Sequence, residues 1–202
     1  MKEKQQSRDM NRTLIKLRSV SEIVGNEDVA LLTFVDEHEE RQLSVMCDED
    51  MKNQLVIRTG IEGVKNRPIL SKRLPEVFSK ILDMETMHVF YEVYVYDLVN
   101  GEYLTVVFNL INKEKYHIRL SDAVLLSVVC DVPVYISTSL FERQSTPFSQ
   151  DSHHTNIPIN SLDLVRLEQE LGKALEREDY RTASFIQKEI SRRKSEDNPG
   201  IA

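Results

Sequence analysis

Arg119, Ser121 and Asp122 stand within four consecutive positions and hold much of what phosphodiester chemistry requires. Such hydrolysis needs an activated water, neutralised phosphoryl oxygens and a protonated or metal-bound leaving oxygen. Arg119 can grip a phosphate with two parallel N–H donors. Ser121 opens a helix whose free backbone N–H groups favour an anion, and Asp122 can hold Mg²⁺ or orient water. His117, two residues before Arg119 on the preceding strand, is expected on the same face and is the histidine read as a catalytic acid or base. Asp97 is a second candidate oxygen ligand beside Asp122, so the expected cofactor is Mg²⁺ or another divalent cation. The same side chains also have ordinary structural uses. Ser121 can cap the helix, Asp122 can complement its positive end, and Arg119 can pair with a carboxylate such as Asp97 or Glu102.

A polyanion needs a basic approach, and one segment supplies it. Between Arg58 and Lys80, six bases face two acids, and Arg67, Lys72 and Arg73 are the expected contacts to DNA or RNA. The acids Asp36, Glu37, Glu39, Glu40, Asp48, Glu49 and Asp50 form a second surface that repels nucleic acid. Tyr94, Tyr96 or Tyr103 can stack unpaired bases or, equally, fill a sheet face.

These groups are positioned by a readable series of elements. Thr13 to Val20, Val29 to Val35 and Gln42 to Met46 are short apolar runs between polar connections, which predicts three strands with the last two as a hairpin. Asp48 can cap a following helix with Met51 and Leu55 on one face, and Gly60 can end it. A second helix is expected over Ser71 to Leu82, burying Leu74, Val77, Phe78 and Ile81, with Pro75 tolerated in its first turn. Met87 to Ile111 reads as strand, broken by the Asn100-Gly101 hairpin turn. A strand at Tyr116 to Arg119, a helix over Asp122 to Cys130 and a strand at Val134 to Ile136 close the domain. The order of strands and helices predicts an α+β fold with a mixed sheet. Arg143 to Asn160 is polar and reads as a linker. Ser161 to Lys194 returns to a helical period, interrupted by the Glu178-Asp179-Tyr180 turn, as two antiparallel helices. The expected organisation is a flexible N-terminus (1–12), a core domain (13–142), a linker (143–160), a helical hairpin (161–194) and a tail (195–202).

Composition bounds the setting. A chain of 202 residues with 41% hydrophobic content can bury one good-sized core and carry an appendage. The polar start and the lack of a run near the roughly 18 apolar residues needed for a span predict a cytoplasmic protein without membrane partners. Cys47 and Cys130 are expected to be buried thiols, and His153-His154 to be exposed linker residues. The net charge of -7 argues against a uniformly basic surface. The Val89 to Val95 face with its aromatics is expected to support a homo-oligomer.

The C-terminal stretch LEQELGKALEREDYRTASFIQKEI resembles the UVR motif, a helical hairpin that implies contact with a protein partner. Thr13 to Arg143 is similar to the bifunctional nuclease family, whose members hydrolyse DNA and RNA. Arg67-Pro68-Ile69-Leu70 with Leu74, the segment DLVNGEY from Asp97 to Tyr103, IRLSDAVLL from Ile118 to Leu126, and Val132 to Leu140 follow that family's motifs in order. The chain carries Leu70-Ser71-Lys72 where the family has Thr-His-Asp, and Leu120 where it has proline. The resemblance therefore implies two candidate functions: a nuclease coupled to a protein partner, or a non-catalytic adaptor that recruits partners through the hairpin.

Overall fold

Apolar runs in the first third of the chain give three antiparallel strands: β1 (Arg12–Ile23), β2 (Asn26–Asp36) and β3 (Arg41–Asp48). The computed structural model describes residues 11–23, 26–59, 73–81, 87–148 and 159–196. Within them, an eight-stranded mixed sheet and its helices form the expected α+β fold; with β4 (Tyr91–Val99), β5 (Glu102–Asn109), β6 (Lys115–Ile118), β7 (Val134–Ser137) and β8 (Thr146–Pro147), the strand order is β6-β5-β4-β7-β1-β2-β3-β8. The chain divides into two compact units, Met1–Asp97 with Tyr103–Asn156 and Leu98–Glu102 with Ile157–Ala202. No helix among the described residues is long and apolar enough to cross a membrane.

In the first unit, Asp48 ends β3 and accepts a hydrogen bond from Met51 N at 2.8 Å, starting α1 (Glu49–Thr59), which buries Met51, Leu55 and Val56. Gly60 lies outside the described residues. The next helix is α2 (Leu74–Ile81), with Ser71, Lys72 and Leu82 of the expected span outside the described residues, and Pro75 falls in its first turn as expected. Its apolar face, however, is not buried: Leu74 is 67% exposed and Ile81 70%. An ion pair tethers the helix instead, with Arg58 donating to both oxygens of Glu76 at 2.6 and 2.9 Å.

Met87–Phe90 forms a helical turn, α3, rather than the start of a strand, and leaves Val89 exposed. A short apolar run does not by itself distinguish these conformations. The strand β4 (Tyr91–Val99) then turns at Asn100 and Gly101, both at positive φ, into β5 (Glu102–Asn109). Strand β6 (Lys115–Ile118) pairs antiparallel with β5, and α4 (Leu120–Cys130) follows directly. After Asp131, at φ 56°, β7 (Val134–Ser137) enters parallel to β4 and antiparallel to β1. That register sets Val93, Val95, Val134, Ile136 and Ile15 into the core. Val93 and Val95 are thus covered within the chain, and the sheet face assigned to a second copy is not open at those positions.

The boundary after Phe141 also differs from the sequence reading. α5 (Thr138–Gln144) runs into the segment read as linker, and β8 (Thr146–Pro147) pairs with Arg41 and Gln42 of β3. Arg41 fixes this corner by donating from Nε to Ser145 Oγ and from an Nη to Ser145 O, both at 2.7 Å. His153 and His154 lie outside the described residues.

The second unit contains a 3-10 turn (Ile159–Ser161) and the expected helical pair, α6 (Leu164–Glu176) and α7 (Tyr180–Glu196). Asp163 caps α6 by accepting from Arg166 N at 2.8 Å, and Asp179 caps α7 by accepting from Thr182 N at 3.1 Å. Leu167, Ala174, Ala183, Ile186 and Ile190 are buried.

Candidate functional site

Two helix starts in the first unit carry one connected charge cluster. Arg119 is the N-cap residue of α4, Ser121 and Asp122 lie in its first turn, and Asp48 caps α1. Arg119 donates from Nε to Asp122 Oδ2 at 2.7 Å and from Nη2 to Asp122 Oδ1 at 3.2 Å. Its Nη1 lies 3.6 Å from Asp48 Oδ2. The Asp122 carboxylate, assisted by Asp48, makes the guanidinium still harder to deprotonate. The cluster is exposed, so the pair exchanges with water and solute ions at small cost.

This geometry corrects two details of the sequence reading. The partners of Arg119 are Asp122 and Asp48 rather than Asp97 or Glu102. Ser121 is not the N-cap, and no side-chain cap bond forms at that end of α4. The cause is Leu120, only 5% exposed, whose burial draws it into the first turn and moves the cap back to Arg119.

Chemically, the guanidinium fork that would grip a phosphate is filled by a carboxylate. Both Asp122 oxygens already accept from Arg119, and Asp48 uses one oxygen on Met51 N. A divalent cation would have to displace the guanidinium, so this donor set, as arranged, does not fit a resident metal. Among the described residues, no group of three His, Cys, Asp or Glu side chains is placed to hold a metal ion.

His117 is exposed on β6, with its ring centroid 6.5 Å from that of Tyr96 in an edge-on arrangement. Tyr94 is half-buried beneath the Arg12 guanidinium, 4.2 Å from its ring centroid, and Arg12 also pairs with Glu92. Tyr103 is 6% exposed and its hydroxyl has no hydrogen-bond partner among the described residues. Burial pushes its phenol above the ordinary range. Tyr103 therefore packs inward and is not a stacking surface, whereas Tyr96 remains open. Asp97 is exposed on β4. Arg73 turns toward α1, donating to Gln54 Oε1 at 3.3 Å. Arg67 and Lys72 lie outside the described residues.

A feature the sequence reading missed lies beside this cluster. Pro75 and Phe78 of α2, Ile118 of β6, and Leu125, Leu126 and Val129 of α4 line an almost wholly apolar groove of about 330 Å³, with Asp122 and Cys130 also on its wall. The signal was present in α4, whose polar residues are confined to Ser121, Asp122 and Ser127. Such a helix has no water-loving face. Burial raises the Cys130 thiol above its ordinary value, with Ser79 opposing the shift, so this thiol is poorly nucleophilic.

No protein-family model matches the chain, and no curated protein matches it.

Proposed function

We propose that this chain is a bifunctional-nuclease-like protein that works as an adaptor, its α+β unit serving as scaffold and its UVR-like hairpin recruiting a protein partner. The observation that carries this reading is on α6 and α7, where Val165, Leu175, Tyr180 and Phe185 are 64%, 51%, 67% and 58% exposed. The hairpin buries small residues and a few aliphatics between its helices while holding large apolar side chains in water, which suits a surface made for contact. The charge cluster supports the same reading. Two carboxylates flank one guanidinium at the start of α4, and their excess negative charge opposes a phosphodiester. The reading includes self-association through the α2–α4 groove, supported by the exposed Leu74, Phe78 and Ile81.

Capture from lysate with the full chain as bait tests the adaptor. Wild type is expected to retain a partner that the double variant Leu175→Glu, Phe185→Glu loses while its fold, checked by circular dichroism, is kept. An identical captured set from both proteins overturns the reading.

A second reading, hydrolysis of DNA or RNA, is favoured by one observation: Arg119 and Asp122 sit side by side and exposed at a helix start. Labelled single- and double-stranded DNA and RNA, incubated with and without Mg²⁺ or Mn²⁺, decide it. Cleavage that disappears with Asp122→Asn establishes the nuclease; intact substrates throughout leave the adaptor.

A further inference from the structure

Within the second unit, one peptide group is closely approached by residues of two other segments. Leu162 immediately precedes Asp163, the residue that caps α6. From α7, Arg193 donates through Nη1 to Leu162 O at 2.5 Å and through Nε to Glu189 Oε1 at 2.8 Å. Its side chain is 1% exposed. Burying a guanidinium is costly unless its N–H groups are satisfied, and the Leu162 carbonyl and Glu189 are two of the acceptors that receive this one.

A second close approach comes from the β4–β5 turn, whose residues Leu98–Glu102 are part of the same unit. Gly101 has φ +88°, and a Cβ placed on it would lie 2.5 Å from Leu162 O, 2.7 Å from Leu162 C and 2.9 Å from Asp163 N. These are backbone atoms, which cannot swing aside as a flexible side chain would. Glycine is therefore required twice, by the backbone conformation and by the approach of the Leu162–Asp163 peptide. An Asn-Gly turn in an isolated hairpin needs only the first.

We infer that Gly101 and Arg193 form a clamp on the Leu162–Asp163 peptide, and that this clamp is a conformational device that fixes the start of α6 and yields when α7 is drawn away. Withdrawing Arg193 leaves the Leu162 carbonyl without its donor, and the Asp163 cap then loses its fixed position. Both arms of the clamp, and the peptide between them, lie within this one unit. This device rests on the adaptor reading for its use but not for its existence.

Hydrogen exchange on the full chain tests it without any partner. Gly101→Ala and Arg193→Met perturb the peptide through its two separate neighbours. Both are expected to speed exchange of the Arg166 and Leu167 amides by about tenfold or more, the mark of a locally opened helix start. Amides of β1 to β3 should stay protected, which separates local release from loss of fold. Asn100→Gly, which preserves the turn and adds no atom, should leave the rates unchanged. If Gly101→Ala leaves Arg166 and Leu167 as protected as in wild type, or if each variant disturbs only its own neighbourhood, the clamp is wrong. Failure of partner capture with normal clamp behaviour would instead remove the adaptor reading alone.

Discussion

Asp48 presents Oδ2 to Arg119 at 3.6 Å while its Oδ1 accepts the Met51 backbone N–H at 2.8 Å. One carboxylate thus serves both a helix cap and an ion pair. The two contributions separate by substitution, because Asn can still accept at an N-cap but carries no charge. Asp48→Ala is expected to lower stability by about 1 kcal/mol, the usual worth of a cap. Asp48→Asn should lose much less, because an exposed pair contributes little. Urea denaturation of the three proteins measures this, and equal losses for Ala and Asn would show that the charge dominates.

Tyr103 gives a prediction of opposite sign. Its hydroxyl is buried and lacks a hydrogen-bond partner among the described residues, so folding strips it of water without replacement. Removing the oxygen removes that cost. Tyr103→Phe is expected to leave stability unchanged or to raise it by about 1 kcal/mol. A clear fall in melting temperature would mean that the hydroxyl is satisfied.

The strands and the helical pair were legible because their signals are local. β2 and β3 announce themselves through apolar runs bounded by Asp36 to Glu40, and Asn100-Gly101 specifies its turn by the φ angles both residues adopt. The helical period from Leu167 through Ile190 likewise matches the residues that α6 and α7 bury. The failures occurred where a distant element decides. Periodicity showed that Leu74, Phe78 and Ile81 share a face, but not whether anything covers it. Burial of Leu120 displaced the expected Ser121 cap by two residues, to Arg119. The Asp48 contact joins strand β3 to the start of α4 across a long stretch of chain, and no spacing rule could have paired those residues.

The helical pair should weaken in acid. Hydrogen bonds from Arg192, and then Arg193, pull the Glu189 carboxyl from an ordinary 4.5 to about 2 against the opposing effect of burial. The folded state therefore binds fewer protons than the unfolded one. The resulting stabilisation is present above pH 4.5 and drains away as pH falls toward about 2. After allowance for solvent screening it amounts to about 1 kcal/mol. Denaturation of wild type and Glu189→Gln should show a gap at neutral pH that closes through this window. A gap of constant size from pH 7 to the acid end would assign the stabilisation to something other than this charge.

The proposed self-association through the α2–α4 groove rests on the composition of α4. Its inward side chains Leu120, Ala123 and Val124 are buried, yet Leu125, Leu126 and Val129 on the groove wall are also apolar. A helix apolar on all sides is normally covered on all sides, and the adjacent Phe78 is 49% exposed. A patch that combines a ridge on α2 with a groove beside it can match its own copy about a twofold axis. Wild-type protein is therefore expected to sediment as a dimer or larger species, and Phe78→Glu with Leu126→Glu as a monomer of unchanged circular dichroism. A wild-type chain that remains monomeric at its highest soluble concentration would leave this face without a second copy.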